Sequence, residues 1–324
     1  MTGIAGNFYV LRAGKQTAKG TAQVVPTQTL KLTGGAALPT QGILDLPETD
    51  SSRQRSPAVK IDYRVGGAIS GLVRSAEFAS LAYWHLGANA DTGANPYTHT
   101  ATSAGAAPYE TLYSVLNTST IIDQYVDCRI PQLTMRGQVG AAIEYDATFA
   151  GITAAFGATD PATPATSTAT PLVYPTTTVT LGGATTDIVQ SFSVTSDNGG
   201  DFVFGDTQMG AYDYVYGRWG VTGTLNILLE NDQKWRALFT GSTSGTAVST
   251  TGALFTEALT ITCTNNATSD QVQWVMTLVE LRNVGWAADP SGAPLYFTYE
   301  FSAQPQATIA NTLSIITKNV TAVA

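Results

Sequence analysis

The residues that could do chemistry are few. Glu144 and Asp146 stand two apart and would share one face of a strand, and Asp123 and Asp127 are four apart. A glycosidase needs two carboxyls facing each other across a cleft. Neither spacing specifies that, and a solvated or lumen-facing strand edge accounts for both pairs. Two histidines are present, His85 and His99. His85 lies beside Trp84 in a helical pattern that suits a structural or surface role, and neither histidine has a partner at metal-ligand spacing. Cys128 and Cys263 lack a CxxC partner, sit in strand-like runs and read as buried free thiols, a single bridge between them being the alternative. The Gly-Gly pairs at 34–35, 66–67, 182–183 and 199–200 suit turns and bulges, with no phosphate loop, dinucleotide fingerprint or GxSxG elbow around them. Tyr97, Tyr109, Tyr212, Tyr214 and Tyr216 could line a carbohydrate surface or equally a protein interface. The expectation is a protein that is not an enzyme, with no catalytic residues, cofactor or metal.

The whole chain sharpens that reading. Its 324 residues allow two domains. An apolar fraction of 44% excludes a disordered chain, while charged residues make up 12%, about half of what a soluble protein carries. Self-association that covers much of the surface would explain the shortfall, and so would a repetitive Thr/Ser/Ala/Gly surface. A net charge of −8 argues against tight nucleic-acid binding, which needs clustered Lys and Arg. It remains compatible with a surface past which nucleic acid slides. The opening residues MTGIAGNFYVLRAGK contain no signal-peptide core, and no apolar run is long enough to span a membrane, so a cytoplasmic product is expected.

The elements read as short strands with turn signals. Residues 1–57 are dense in Gly and Pro, which predicts an extended arm with one short strand. The first β unit is expected at 58–156, a Pro/Thr/Ala-rich linker at 157–178, a second unit at 179–303, and a polar tail at 304–324. Two blocks echo each other: Tyr63–Gly87 and Tyr216–Gly241 each run from a strand into a short helix closed by glycine. Phe78 and Leu81 correspond to Trp235 and Leu238, and with Phe239 these form the expected helix-packing faces. Ile143–Phe149 and Leu295–Phe301 repeat one alternating strand. The fold class expected is mainly β: two tandem β-sandwich or barrel units, each with one short helix.

Three stretches, taken in order, resemble one family. DSSRQRSPAVKIDYRVGGAISGLVRSAEFASLAYWHLGA (50–88), VDCRIPQLTMRGQVGAAIEYDATFAGI (126–152) and SFSVTSDNGGDFVFGDTQMGAYDYVYGRWGVTGTLNILLENDQKWRALFTG (191–241) are similar to major tail tube proteins of siphophages. The resemblance covers about 50–300. It implies β units that associate into rings, with sheets continuing between neighbours. The rings stack into a conduit for double-stranded DNA, which passes without specific binding. A duplicated unit implies a homotrimeric, pseudo-hexameric ring in the virion, made in the host cytoplasm. The tape-measure protein and tail-end or terminator proteins are the implied partners. Glu144, Asp146, Thr148, Thr298 and Glu300, which leave the core face of their strands, become candidates for the lumen, and residues 12–57 for contacts between rings. Competing readings are an adhesin or decoration protein of similar composition, or a carbohydrate-active β-sandwich protein.

Overall fold

The computed structural model describes residues 9–46, 57–116, 121–164, 166–185, 188–206, 209–229, 233–251, 254–285, 294–306, 308 and 312–319. The first half contains β1 (Val10–Lys15), β2 (Gln28–Leu30), β3 (Leu32–Gly35), β4 (Leu38–Leu44), β5 (Val59–Leu72), α1 (Ser75–Leu86), β6 (Gly87–Thr92), β7 (Tyr97–Ser103), β8 (Glu110–Leu116), β9 (Ile121–Gln138), β10 (Glu144–Gly151) and β11 (Thr153–Phe156). The second contains β12 (Thr177–Leu181), β13 (Ala184–Thr185), β14 (Val189–Asp197), β15 (Asp201–Phe204), β16 (Ala211–Val215), β17 (Gly220–Leu228), α2 (Gln233–Thr240), β18 (Thr256–Thr264), β19 (Gln271–Gly285), β20 (Tyr296–Ala303) and β21 (Ser314–Asn319). The fold is mainly β, with large antiparallel ladders. Among the described residues, nineteen strands form one continuous sheet system, and β15–β16 is a separate hairpin.

The same order of pairings occurs in both halves. β1 pairs β8 as β12 pairs β18, and β8 pairs β9 as β18 pairs β19. β10 lies between β5 and β9, and β20 lies between β17 and β19. β3 and β4 run end to end along the outer side of β5, where β14 runs along β17. Register repeats as well. Phe149 stands opposite Gly67, and Phe301 opposite Gly223. The β8–β9 ladder is irregular between Glu110 and Leu112, and the β18–β19 ladder between Glu257 and Leu259.

Two ladders join the halves. β14 pairs with Gln132–Gln138 of β9, and β21 pairs with β7. A single apolar core runs through both halves, from Leu11, Ile69 and Phe149 to Trp274, Phe301 and Ile315.

Three segments differ from the sequence expectation. Residues 9–46, expected as an extended arm with one short strand, are built into the sheets as four strands, β1–β4. Gly and Pro shorten these strands, but an edge strand needs hydrogen bonds on one side alone, so short pieces suffice. Residues 1–8 and 47–56 of the expected arm lie outside the described residues. The expected linker is tied to the first half. Arg12 Nη1 meets Asp160 at 2.7 Å, Lys31 Nζ donates to the Ser167 carbonyl at 2.6 Å, and Leu172 is buried between Val73 and Ile143 through backbone hydrogen bonds. The expected tail supplies β21, whose Ile315 is fully buried.

Helix α1 starts at Ser75, a residue type that favours the N-cap position. Arg74 holds that position without a side-chain bond to the helix amides, and Ser75 Oγ donates instead to Asp270 at 2.9 Å. Gly87 ends the helix at φ 98, the left-handed conformation glycine takes freely. Asn231 and Asp232, which precede α2 and whose residue types favour a helix start, lie outside the described residues.

Candidate functional site

Alternation along the strands gives the long sheet two unlike faces. In β10, Tyr145, Ala147 and Phe149 are buried while Glu144, Asp146 and Thr148 lie on the other side. In β20, Phe297, Tyr299 and Phe301 are buried while Tyr296, Thr298 and Glu300 are exposed. Side chains opposite each other across a ladder share a face. Following the registers, Asp146 continues through Thr134 of β9, Thr195 of β14, Thr222 of β17 and Ser302 of β20 to Glu280 of β19. The five residues expected to leave the core face therefore lie on one continuous polar surface that crosses both halves.

This surface is acidic with local compensation. Arg136 Nε donates to Glu144 at 2.9 Å and Nη1 to Asp146, and these bonds hold the guanidinium above its ordinary pKa, the Glu144 bond contributing most. Asp146 also accepts from Ser70 Oγ at 2.5 Å. Thr134 and Thr195 hydroxyls meet at 2.9 Å across the ladder between the halves. Asp197, Glu280 and Glu300 add negative charge, and Arg282 pairs with Glu280 at 3.3 Å. Glu144 and Asp146 lie side by side on one strand and share one arginine, beside a shallow depression of about 300 Å³. That is not two carboxyls opposed across a groove.

The other sequence-flagged groups are structural. His85 is buried, touches the Ile130 carbonyl at 2.9 Å and Ser196 Oγ at 2.7 Å, and burial lowers it to about 4. It thus tethers α1 to β9 and β14. His99 meets Asp91 at 2.8 Å and stacks near Tyr97. Cys128 and Cys263 are buried free thiols, and burial pushes Cys263 up to about 12. Among the described residues, no cluster of three or more His, Cys, Asp or Glu side chains could hold a metal ion. No described helix is long and apolar enough to cross a membrane.

The two helices differ in a way the sequence did not show. Phe78 and Leu81 of α1 are fully buried, and α1 packs against β9, β7, β21 and β19. On α2, Ala237 is buried and Leu238 half-buried, but Trp235 is 36% and Phe239 44% exposed. In the single chain α1 packs its apolar face into the core, whereas α2 leaves Trp235 and Phe239 exposed. Among the described residues, the β7 and β21 strands that cover α1 have no counterpart over α2.

A family model described as phage tail tube protein matches residues 9–321. The chain belongs to the phage tail tube family. A search of curated proteins returned no match. Membership makes the chain a structural tail tube protein and a virion component, and the β-rich ladders agree with it. Arg136, Asp197 and Glu280 belong to the tail tube protein's polar surface but were not singled out in the sequence. The alternation of Ser193, Thr195 and Asp197 with Phe192, Val194 and Ser196 in β14 was the available signal.

Proposed function

We propose that three copies of this tail tube protein close into a ring, and that stacked rings form the tube of a long-tailed phage with a non-contractile tail. The polar surface lines the lumen, through which genomic double-stranded DNA passes during ejection. The repeated order of pairings supports a duplicated tail tube unit, two per chain. A ring of three copies then has pseudo-sixfold symmetry.

Strand count carries the reading. The long ladder runs β3/β4, β5, β10, β9, β14, β17, β20, β19, eight strand positions per chain. Three copies give roughly 24 strands, and at about 4.8 Å per strand the closed sheet is about 37 Å across, or about 48 Å at a tilt near 40°. Removing about 10 Å for side chains leaves a channel wider than a DNA duplex. Two copies give a sheet about 24–32 Å across, which at the same thickness leaves a channel of about 14–22 Å, with little or no clearance around a duplex. An acidic lumen repels phosphate and keeps the DNA moving. The ring-end surfaces meet the tape-measure protein and the tail-end or terminator proteins, and the chains are made in the host cytoplasm before assembly.

Electron microscopy of the purified chain in negative stain tests this. Rings or tubes with a central channel and threefold symmetry are expected. A dispersed monomer at high concentration, or closed particles without a channel, would overturn it.

A further inference from the structure

We infer that successive copies join head to tail through one interface. In it, the β3/β4 edge of one copy extends the end of β19 in its neighbour, and Phe156 on β11 of that same copy covers the exposed Trp235–Phe239 face of the neighbour's α2. This rests on the ring reading and names the residues that close the ring.

The template lies inside the chain. β9 changes partner along one edge: Ile121–Cys128 face β8, and Gln132–Gln138 face β14. β19 has the same first partner, since β18 covers it from Gln271 to Glu280. From Asn283 to Gly285, the last described residues of β19, pairing is with β20 alone, so among the described residues this start of the edge that β14 fills on β9 has no strand beside it. At the other end of the ladder, β3 and β4 pair with β5 alone among the described residues. β14, their counterpart, pairs with both β17 and β9. The two open edges are thus the two sides of the joint already made between the halves. An open pair of complementary edges on one chain is a heterologous interface, which closes into a ring when the rotation permits.

The register follows. Thr195 faces Thr134 and Asp197 faces Gln132 in the internal joint. Leu38 and Thr40 hold the places of Thr195 and Asp197 along β5 and β17, and Gly285 and Asn283 hold those of Thr134 and Gln132 along β20 and β10. Between copies, Leu38 therefore stands opposite Gly285, and Thr40 opposite Asn283.

The helices supply a second, independent observation. The internal joint brings β21 and β19 of the second half over α1, where Phe78 packs against Trp274 with ring centroids 6.4 Å apart. β21 lies beside β19 as β11 lies beside β9, with Ile315 opposite Trp274 and Phe156 opposite Asp123. Phe156 is 68% exposed in the single chain, as if its helix were missing. Trp235 and Phe239 border an open cavity of about 540 Å³ that Arg236 and Val248 also line. A second cavity, about 360 Å³, is lined by Pro39, Thr40, Tyr63, Ala154 and Phe156. It places the β4 edge and Phe156 on one side of the chain, as a single docking event requires.

Two experiments test the interface in the full chain. The double variant T40C/N283C should form disulfide-linked oligomers on mild oxidation of assembled material, while either single variant should not; the native cysteines are buried. W235S and F156S should each raise the concentration needed for assembly at least tenfold, with melting temperatures close to the native chain's because both side chains are exposed in it. Mixed together, the two variants retain one intact joint and should form a 1:1 dimer but no ring. Assembly without the 40–283 crosslink, or unimpaired assembly of W235S and F156S, would overturn the interface and leave the ring reading intact. Failure of the native chain to assemble at all would overturn both.

Discussion

Phe78 on α1 and Trp274 on β19 pack ring against ring at 6.4 Å, and neither is exposed to solvent. They come from opposite halves, so the contact measures how firmly the halves share one core. Phe78→Ala should destabilise the chain by about 3–5 kcal/mol. Trp274→Ala should cost a similar amount, and the double variant less than the sum because the two rings share a contact. Urea unfolding of the single and double variants checks this. Strict additivity would mean that the halves are energetically independent.

Gly223 of β17 sits between Val194 of β14 and Phe301 of β20. A Cβ there would lie 2.3 Å from the Ser193 carbonyl oxygen and 2.4 Å from the Phe301 ring. Gly223→Ala should therefore cost about 2–3 kcal/mol through forced separation of the strands. Gly220→Ala, three residues away with nothing within 4 Å, should stay within about 0.5 kcal/mol. Equal effects in thermal melts would contradict the register given for these ladders.

Two buried groups give opposing pH dependences. Burial lifts Glu77 from 4.5 to about 7, against the pull of Arg74 and Lys31. Its folded value lies above its unfolded one, so its contribution is intact below about pH 4.5 and is lost as pH rises through about 7. Burial lowers His85 from 6.5 to about 4. Its contribution is intact above about pH 6.5 and is lost as pH falls through about 4. Glu77→Gln removes the first dependence and keeps the second. The variant should gain about 1–3 kcal/mol over the native chain at pH 8 and nothing at pH 4.5. Denaturant unfolding at the two pH values reads the difference, and an equal effect at both would show that Glu77 is not held protonated.

The polar surface makes a functional prediction. Replacing Glu144, Asp146 and Glu300 together by lysine reverses the charge of the proposed lumen without touching the core face. Tubes should still assemble, and DNA ejection should slow several-fold, more at low salt than at high salt. Ejection at the native rate from normal tubes would remove the lumen assignment.

Much of this was legible because period-two alternation exposes which face of a strand is buried. Glu144, Asp146, Thr148, Thr298 and Glu300 were placed on the polar face by that pattern alone, and Phe78 and Leu81 on a packing face by helical spacing. β9 was harder. A proline favours an edge or an interruption in a sheet, yet β9 runs through Pro131. Pro131 lies at the irregular step where β9 leaves β8 for β14, so its missing N–H interrupts no regular ladder. The short strands β2–β4 were hidden by Gly34, Gly35, Pro39 and Gly42, since an edge strand leaves little alternation to read. The difference between α1 and α2 was not legible at all. Trp235, Leu238 and Phe239 have helical spacing as good as that of Phe78 and Leu81, and what covers a helix is set by strands far away in sequence.

Cryo-electron microscopy of the assembled chain tests the central claim most directly. The account predicts a threefold ring whose inner wall is a closed sheet of roughly 24 strands, with Glu144, Asp146 and Glu300 facing the channel. A ring whose inner wall is built from other strands, or one that turns this polar surface outward, would contradict it.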